Sequence, residues 1–210
     1  KYNIFDKGAT WTYDDNGVSL DGTAWKTNVF SKQGARPIGY DTNNSKTLST
    51  KTSERLQTYY FSKSFNINKA VDANDIFTLD YTVDDGMVVY VNGEEAGRYN
   101  MPAGEISFYT NGGWAQGNPD NGTMTLPAGL FKMGENIIAV AVHNYFNPSS
   151  TDIYWNASLS QTKFAASGNS EYYSTDAEFT LPSSGDFGFV AEYKKLTSGE
   201  ADELGLRPVK

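Results

Sequence analysis

The stretch FTLDYTVDDGMVVYVNGEEAGRY, residues 77–99, decides the fold. Its first seven residues alternate apolar and polar side chains, which is the pattern of a half-buried β-strand. Met87–Val91 is a continuous apolar run that fits a strand covered on both faces. Asn92 and Gly93 supply the two positive-φ positions of a type I′ turn, so residues 94–99 are predicted to return as the second strand of a hairpin.

The two aspartates and the glycine inside this stretch also have a structural explanation. Gly86 lies between two strand patterns, where glycine often marks a bulge or a sharp bend. Asp84 and Asp85 can accept hydrogen bonds from backbone amides at such a bend. The stretch is therefore explained as a corner of the fold without any ligand.

The same two-residue period recurs along the chain and indicates an all-β fold. We find no amphipathic helix of three turns, and turn residues separate the apolar runs every 8–15 residues, as in a β-sandwich or barrel. The segment DDNG at 14–17 is predicted to be a turn between the first two strands. Besides the opening stretch, the predicted strands are 9–13, 18–20, 58–65, 136–144 and 153–159.

The composition of the chain changes near Gln161, where small polar residues begin. Beyond this point, Ala177–Leu181 and Phe187–Tyr193 are predicted to be two strands around the turn PSSGD. The predicted organisation is a β-sandwich over residues 1–160, followed by an appended β-hairpin and linker over 161–210. The chain starts at Lys1 without a signal peptide, so we expect a processed protein or an excised fragment.

Composition restricts the partners. The net charge is −8, which disfavours nucleic acid and anionic membranes and suits neutral partners such as glycans, or divalent cations. No apolar run approaches the roughly 18 residues that a membrane helix needs, so no membrane insertion is expected. The absence of cysteine excludes disulfides, catalytic thiols and cysteine-ligated zinc.

Catalytic groups are scarce, and we expect no enzymatic activity in this chain. His143, the only histidine, lies at the end of a predicted strand and is either a satisfied strand-end residue or a ligand-binding one. Adjacent carboxylates occur at 14–15, 84–85 and 94–95. Glycosidases need two carboxylates about 5–9 Å apart across a cleft, whereas sequence neighbours on a strand point to opposite faces.

Calcium is a possible structural cofactor. It prefers six to eight oxygen ligands from carboxylates and carbonyls on loops. The candidate ligands Asp14, Asp41 and Asp120 each lie in a loop rich in aspartate and asparagine. None of the loops has EF-hand spacing, and for any single loop ordinary turn hydrogen bonding is the favoured explanation.

Exposed aromatic rings are the main candidates for glycan binding. Trp11 and Trp155 lie within strand patterns and are predicted to be in the core, whereas Trp25 and Trp114 are predicted to be exposed. Trp114 lies in the loop YTNGGWAQGNPDNG, where it could be a binding platform or a plug over the edge of the sandwich. The candidate ligand-binding residues are Trp114 with Trp25, Tyr40 and His143.

Several segments together resemble a known family. They are WTYDDNG (11–17), AWKTNVF (24–30), GARPIGYD (34–41), TYYFSKSFNI (58–67), residues 77–106, LPAGLFKMGENIIAVAVHN (126–144) and SSTDIYWNASL (149–159). Over residues 1–160 the chain resembles the galactose-binding-like jelly-roll module of bacterial secreted multidomain proteins, as found beside spore-coat-H-type kinase-like, lamin-tail or metallophosphatase domains. It is also distantly similar to the sugar-binding domain of family 2 glycoside hydrolases.

The resemblance implies two antiparallel sheets in a jelly-roll β-sandwich, often a structural calcium, and no catalysis in this module. The segment after Ser160 resembles the strand-rich spacers that precede lamin-tail domains. The resulting expectation is a non-catalytic carbohydrate-binding module of a secreted or cell-surface bacterial protein. The main alternative is a structural or docking module that positions neighbouring domains of the same polypeptide and binds no sugar. A third and weaker interpretation is an enzyme fragment whose chemistry lies elsewhere in the full chain.

Overall fold

Strands account for nearly all of the regular structure. The computed structural model describes residues 1–145 and 150–163, together with the backbone of 173–174 and 207–208. The chain divides into two compact units, residues 1–164 and 165–210. The strands described in the first unit are β1 (Tyr2–Phe5), β2 (Trp11–Asp14), β3 (Lys32–Gly34), β4 (Ile38–Asp41), β5 (Thr50–Lys51), β6 (Thr58–Ile67), β7 (Ile76–Asp84), β8 (Gly86–Val91), β9 (Glu94–Tyr99), β10 (Asp120–Leu126), β11 (Gly134–His143) and β12 (Asp152–Thr162).

These strands form a β-sandwich of two six-stranded sheets. Sheet 1 has the order β10-β7-β12-β4-β5, and β1 also pairs with β12. Sheet 2 has the order β3-β2-β6-β11-β8-β9. The pairs are antiparallel except for β4 with β5, which is parallel. Among the described residues, helical structure is limited to two 3₁₀ turns, Trp25–Thr27 and Ala128–Leu130, and no helix is long and apolar enough to cross a bilayer.

The hairpin predicted at the opening stretch is confirmed. Strands β8 and β9 pair antiparallel, and the turn residues Asn92 and Gly93 have φ values of 52° and 97°. The turn is tied to the neighbouring strand β11, because the Asn92 backbone N–H donates to the Ile137 carbonyl at 2.8 Å.

Aromatic side chains fill the space between the sheets. Trp11 of sheet 2 and Trp155 of sheet 1 are fully buried and meet edge to face with ring centroids 5.2 Å apart. Phe61 stacks on Trp155 at 6.0 Å. Since each such ring buries about 150–250 Å², these contacts contribute strongly to the core, as predicted for both tryptophans.

A second apolar cluster covers the outer face of sheet 2. The loop segments 15–30 and 100–115 fold over the strands β6, β8 and β11 and bury Trp25 and Phe108 there. The strand predicted at 18–20 is therefore wrong: this segment belongs to the covering loop, with Val18 exposed and Leu20 packed against the cluster. The partner of β2 is instead β3 on one side and β6 on the other.

The second unit is described only in two short strands. These are β13 (Tyr173–Ser174) and β14 (Arg207–Pro208), which pair antiparallel. The strands predicted at 177–181 and 187–193 lie outside the described residues.

Candidate functional site

Trp114 is the most exposed tryptophan of the described structure. Its side chain is 64% exposed, and Tyr145, two residues beyond the end of β11, is 47% exposed. The two rings lie side by side with centroids 5.9 Å apart and planes tilted by 32°. The polar residues Asn111 and Gln116 on the same loop are also exposed. We call the two rings the Trp114–Tyr145 platform.

A buried carboxylate holds both sides of this platform. Asp85, which is only 6% exposed, accepts a hydrogen bond from the Ala115 N–H at 3.1 Å and another from the Tyr145 N–H at 2.8 Å. Hydrogen bonds to a charged acceptor are stronger than those between neutral groups. The Asp85 side chain, which we call the brace of the platform, therefore fixes the backbone next to each of the two exposed rings.

The loop that carries Trp114 also packs closely against the sandwich. The Gly112 N–H donates to the Asn144 carbonyl at 3.0 Å, and the Gly113 N–H donates to the Asn100 carbonyl at 2.7 Å. A Cβ on Gly112 would lie 2.9 Å from the Gly86 nitrogen, so only glycine allows this approach. The glycines that marked the segment as a loop thus anchor it to the sandwich.

Trp25 is buried, so the prediction that it is exposed is wrong. Its side chain is 7% exposed and packs on Tyr60 and Tyr90, at centroid distances of 4.7 and 5.3 Å. The 3₁₀ turn at 25–27 lays the ring over the small side chains of Ala139 and Ala141. Trp25 acts as the plug of a sheet face, a role that the sequence had suggested for Trp114.

A cavity of about 560 Å³ lies beside the Trp25 plug, and it brings together two of the predicted ligand-binding residues, Trp25 and His143. Its aromatic lining also includes Tyr60, Tyr90 and Phe108. Charged residues surround this lining, namely Asp21, Lys26, Glu94, Glu95, Arg98 and Glu105. We call this cavity the Trp25 cavity.

His143 is 1% exposed at the end of β11. Its Nδ1 lies 2.9 Å from the Thr110 carbonyl and 3.0 Å from Thr58 Oγ1. Burial lowers the pKa of His143 to about 4, so the imidazole is neutral at physiological pH. Its Nε2 is buried and has no hydrogen-bond partner among the residues that the structure describes.

Tyr40 belongs to the core instead of the surface. It is 2% exposed, its hydroxyl donates to the Ser150 carbonyl at 3.1 Å, and its ring lies 5.9 Å from that of Tyr59. Burial raises its pKa. Of the four predicted ligand-binding residues, the structure thus exposes Trp114, places Trp25 and His143 around one cavity, and buries Tyr40.

The three predicted metal ligands lie at the ends of three separate strands, β2, β4 and β10, and each is hydrogen-bonded to the adjoining loop. Asp14 accepts from the Asn16 side chain at 2.6 Å, and Asp41 accepts from the Lys46 N–H at 2.5 Å. Asp120 accepts from the Gly117 N–H at 2.5 Å. Within residues 1–145 and 150–163 no group of three or more acidic or histidine side chains converges on a metal position. Calcium binding stays a prediction.

The ammonium group of Lys46 joins the loops of Asp41 and Asp120. It donates to Asp84 at 3.0 Å, to Asn118 at 2.5 Å and to Asp152, and its side chain is only 7% exposed. Burial and, to a lesser extent, the neighbouring Asp85 raise the pKa of Asp84 to about 7, against the opposing effect of Lys46. A lysine side chain thus supplies the positive charge at this acidic end of the sandwich.

Tyr145 and the role of Asp85 in holding the platform escaped the sequence analysis. Tyr145 follows the predicted strand directly, and an aromatic residue just beyond a strand end was the available clue. Asp85 was predicted to accept backbone amides at the local bend, but the amides that it accepts belong to residues 115 and 145. Such distant partners are set by the packing of three loops, so the local sequence does not reveal them.

Comparison of this β-sandwich with solved structures finds parts of glycoside hydrolases. A Bifidobacterium dentium β-glucuronidase complexed with coumarin-3-O-glucuronide is 16% identical, with 66% of this chain and 20% of that chain covered and a TM-score of 0.42. An uncultured Clostridium sp. β-glucuronidase is 13% identical, covering 75% and 28%, with a TM-score of 0.46. A putative β-galactosidase from Bacteroides fragilis is 18% identical, covering 76% and 23%, with a TM-score of 0.46.

The chain thus spans between a fifth and just over a quarter of the length of these enzymes. No protein-family model matches the chain, and no curated protein matches it.

Proposed function

We propose that residues 1–160 form a non-catalytic carbohydrate-binding module of a secreted or cell-surface bacterial protein. The observation that carries the proposal is the Trp114–Tyr145 platform, two exposed rings 5.9 Å apart on backbone fixed by a buried carboxylate. Exposing two large aromatic rings together is unfavourable in water, so such a patch on an ordered loop marks a binding surface.

The chemistry of the platform suits a sugar ring. The C–H face of a pyranose is apolar and can stack on indole and phenol rings, while the exposed side chains of Asn111 and Gln116 can bond its hydroxyls. The net charge of −8 favours neutral glycans over polyanions. Because these contacts are few and open to water, the affinity is expected to be weak, on the order of micromolar to millimolar.

A non-catalytic role fits the positions of the titratable groups. Asp84 has a strongly perturbed pKa, but its carboxylate is bonded to Lys46 and lines neither the Trp25 cavity nor the platform. His143 is neutral, and its Nδ1 is bonded to the Thr110 carbonyl. Asp84 therefore faces neither candidate binding surface, and His143, although it lines the Trp25 cavity, is neutral there with its Nδ1 already hydrogen-bonded.

A glycan array tests the proposal with three proteins: wild type, Trp114→Ala and Tyr109→Ala. Tyr109 is the matched control, because it is 76% exposed and contacts Phe108 instead of the platform. We expect Trp114→Ala to abolish retention on the glycans that hold the wild type, and Tyr109→Ala to leave retention unchanged. Equal melting temperatures of the three proteins would show that the fold is intact.

Two outcomes would count against the proposal. A wild type that retains no glycan on a broad array would favour the structural or docking module, which positions neighbouring domains without a sugar ligand. Glycan retention that survives Trp114→Ala would place the sugar site elsewhere on the protein.

A further inference from the structure

The Trp25 cavity is lined by the small side chain of Ala141 among aromatic residues. Antiparallel register places Ala141 of β11 opposite Tyr60 of β6, and Ala139 opposite Tyr90 of β8. All four side chains belong to the cluster on the outer face of sheet 2, which Trp25 and Phe108 complete. Alternation of small and large residues across neighbouring strands therefore creates a groove, and the Trp25 ring fills only part of it.

One ring nitrogen of His143, a residue that lines this cavity, is left without a partner among the described residues. The Thr110 carbonyl can only accept a hydrogen bond, so the proton of the neutral His143 ring lies on Nδ1. The opposite nitrogen, Nε2, is then a bare acceptor, and it is buried without a partner in the described part of the chain. A buried acceptor without a donor is unfavourable, and a ligand that donates a hydrogen bond would satisfy it.

The charges around the cavity favour a positive ligand. Arg98 is fully engaged, by the Glu95 carboxylate and by the carbonyls of Pro102 and Gly104. The Asp21 carboxylate accepts from the Phe108 N–H at 2.9 Å.

Two further carboxylates of the lining, Glu94 and Glu105, are exposed and have no ion-pair or hydrogen-bond partner among residues 1–145 and 150–163. Four carboxylates thus face two cations, of which Lys26 lies over the Tyr90 ring at 4.2 Å. This contact shows that the aromatic lining already accommodates an ammonium group.

We propose that the Trp25 cavity is a second binding site, distinct from the platform, for a small ligand that carries an ammonium group and a hydroxylated apolar ring, the chemistry of an amino sugar. The aromatic walls contact the ring, Glu94 and Glu105 attract the ammonium group, and a donor of the ligand bonds His143 Nε2. Anionic sugars are rejected, because the lining has a surplus of negative charge.

Nuclear magnetic resonance titration tests the site with three probes of one ring shape: glucosamine, glucose and glucuronate, at a pH below the amine's pKa. The four tryptophans give four indole N–H signals, and the single histidine makes its ring nitrogens directly assignable. We expect glucosamine to shift the Trp25 indole and the His143 Nε2 signals saturably. Glucose should bind more weakly, and glucuronate should leave both signals unmoved.

A charge variant sharpens the test. The double variant Glu94→Gln/Glu105→Gln should weaken glucosamine binding about tenfold at low salt, because each carboxylate near an ammonium group in a water-like medium contributes about a threefold effect. Glu135→Gln is the matched control, since Glu135 is an exposed carboxylate on β11 that does not line the cavity. Added salt should reduce the wild-type affinity in the same direction.

The proposal is overturned if Trp25 and His143 do not respond to glucosamine, if glucose binds as tightly as glucosamine, or if the double variant binds like wild type. These outcomes are independent of the platform, because Trp114→Ala should leave the glucosamine response of Trp25 unchanged. If the wild type retains no glycan on the array, the result of this titration can still be interpreted, because it reports on Trp25 and His143.

Discussion

Trp25 and Trp114 both lie in loops, yet the Trp25 ring is buried and the Trp114 ring is exposed to solvent. Trp25 is 7% exposed and fills a groove over two alanines, whereas Trp114 is 64% exposed beside Tyr145. What separates them is the surface available beneath each loop. The Trp25 loop covers the face of sheet 2, while the Trp114 loop is held at its backbone and leaves its ring in water. The Trp25 ring therefore stabilises the fold, whereas the Trp114 ring is available to contact a ligand.

The largest difference between the two regions is expected in stability. Trp25→Ala should cost about 3–5 kcal/mol, because it removes a buried aromatic ring and leaves a cavity. Trp114→Ala should change the free energy of unfolding by no more than about 0.5 kcal/mol, as for most exposed residues. Urea denaturation of both variants measures this difference. Similar losses of unfolding free energy in the two variants would show that the two rings contribute equally to stability, contrary to this expectation.

The next largest effect is a pH dependence of the stability that comes from the buried Asp84, the neighbour of Asp85. Its folded pKa of about 7 lies above the value of about 3.9 for an unfolded aspartate, so the folded state binds the proton more tightly. The contribution of Asp84 to stability should therefore decrease as pH rises from about 4 to about 7. Asp84→Asn does not titrate, so the stability of wild type relative to this variant should fall across that range. A difference that stays constant or rises with pH would contradict the assignment.

Removal of the brace itself should damage both stability and binding. Asp85→Ala leaves the amides of Ala115 and Tyr145 without their acceptor, which should cost at least about 2 kcal/mol. It should also reduce glycan retention, because the two rings lose their fixed spacing. Asp80→Ala is the control, since the ion pair that Asp80 forms with Lys7 in the described part of the chain is exposed. If Asp85→Ala is as stable as Asp80→Ala, the brace has no energetic role.

A smaller loss is expected at the hairpin turn next to the Trp25 cavity. Gly93 has a φ of 97°, and a Cβ there would lie 2.9 Å from Thr27 Cγ2. Gly93→Val should lose roughly 1 kcal/mol or more, because a β-branched residue resists this conformation. Glycan retention through Trp114 should be unchanged. An unaltered urea midpoint for the variant would contradict the strained-turn interpretation.

Much of the sandwich could be predicted because its determinants are local. Alternation in residues 77–83 predicts the strand β7, and the Asn92-Gly93 turn after the apolar run of β8 predicts the hairpin of β8 with β9, without information from distant residues. The predicted strand at 18–20 failed because a short apolar pattern can equally cover a sheet face from a loop. Local periodicity does not distinguish these two ways of burying the same side chains.

The candidate sites were predictable only in part, because exposure depends on what packs beneath a loop. Trp114 was correctly predicted to be exposed, but the exposure of Trp25 was wrong since the Ala139–Ala141 groove that receives it comes from strand β11. Tyr145 was missed because its contact with Trp114 joins residues that are 31 positions apart in the sequence. Such pairs become visible only when the strand order is known.

The most direct test of the central claim is the response of the indole N–H signals to a glycan selected by the array. We expect this glycan to shift the Trp114 signal saturably, and we expect the shift to disappear in Tyr145→Ala while the Trp25 signal stays in place. An unmoved Trp114 signal in the presence of a retained glycan would show that the sugar binds away from the platform.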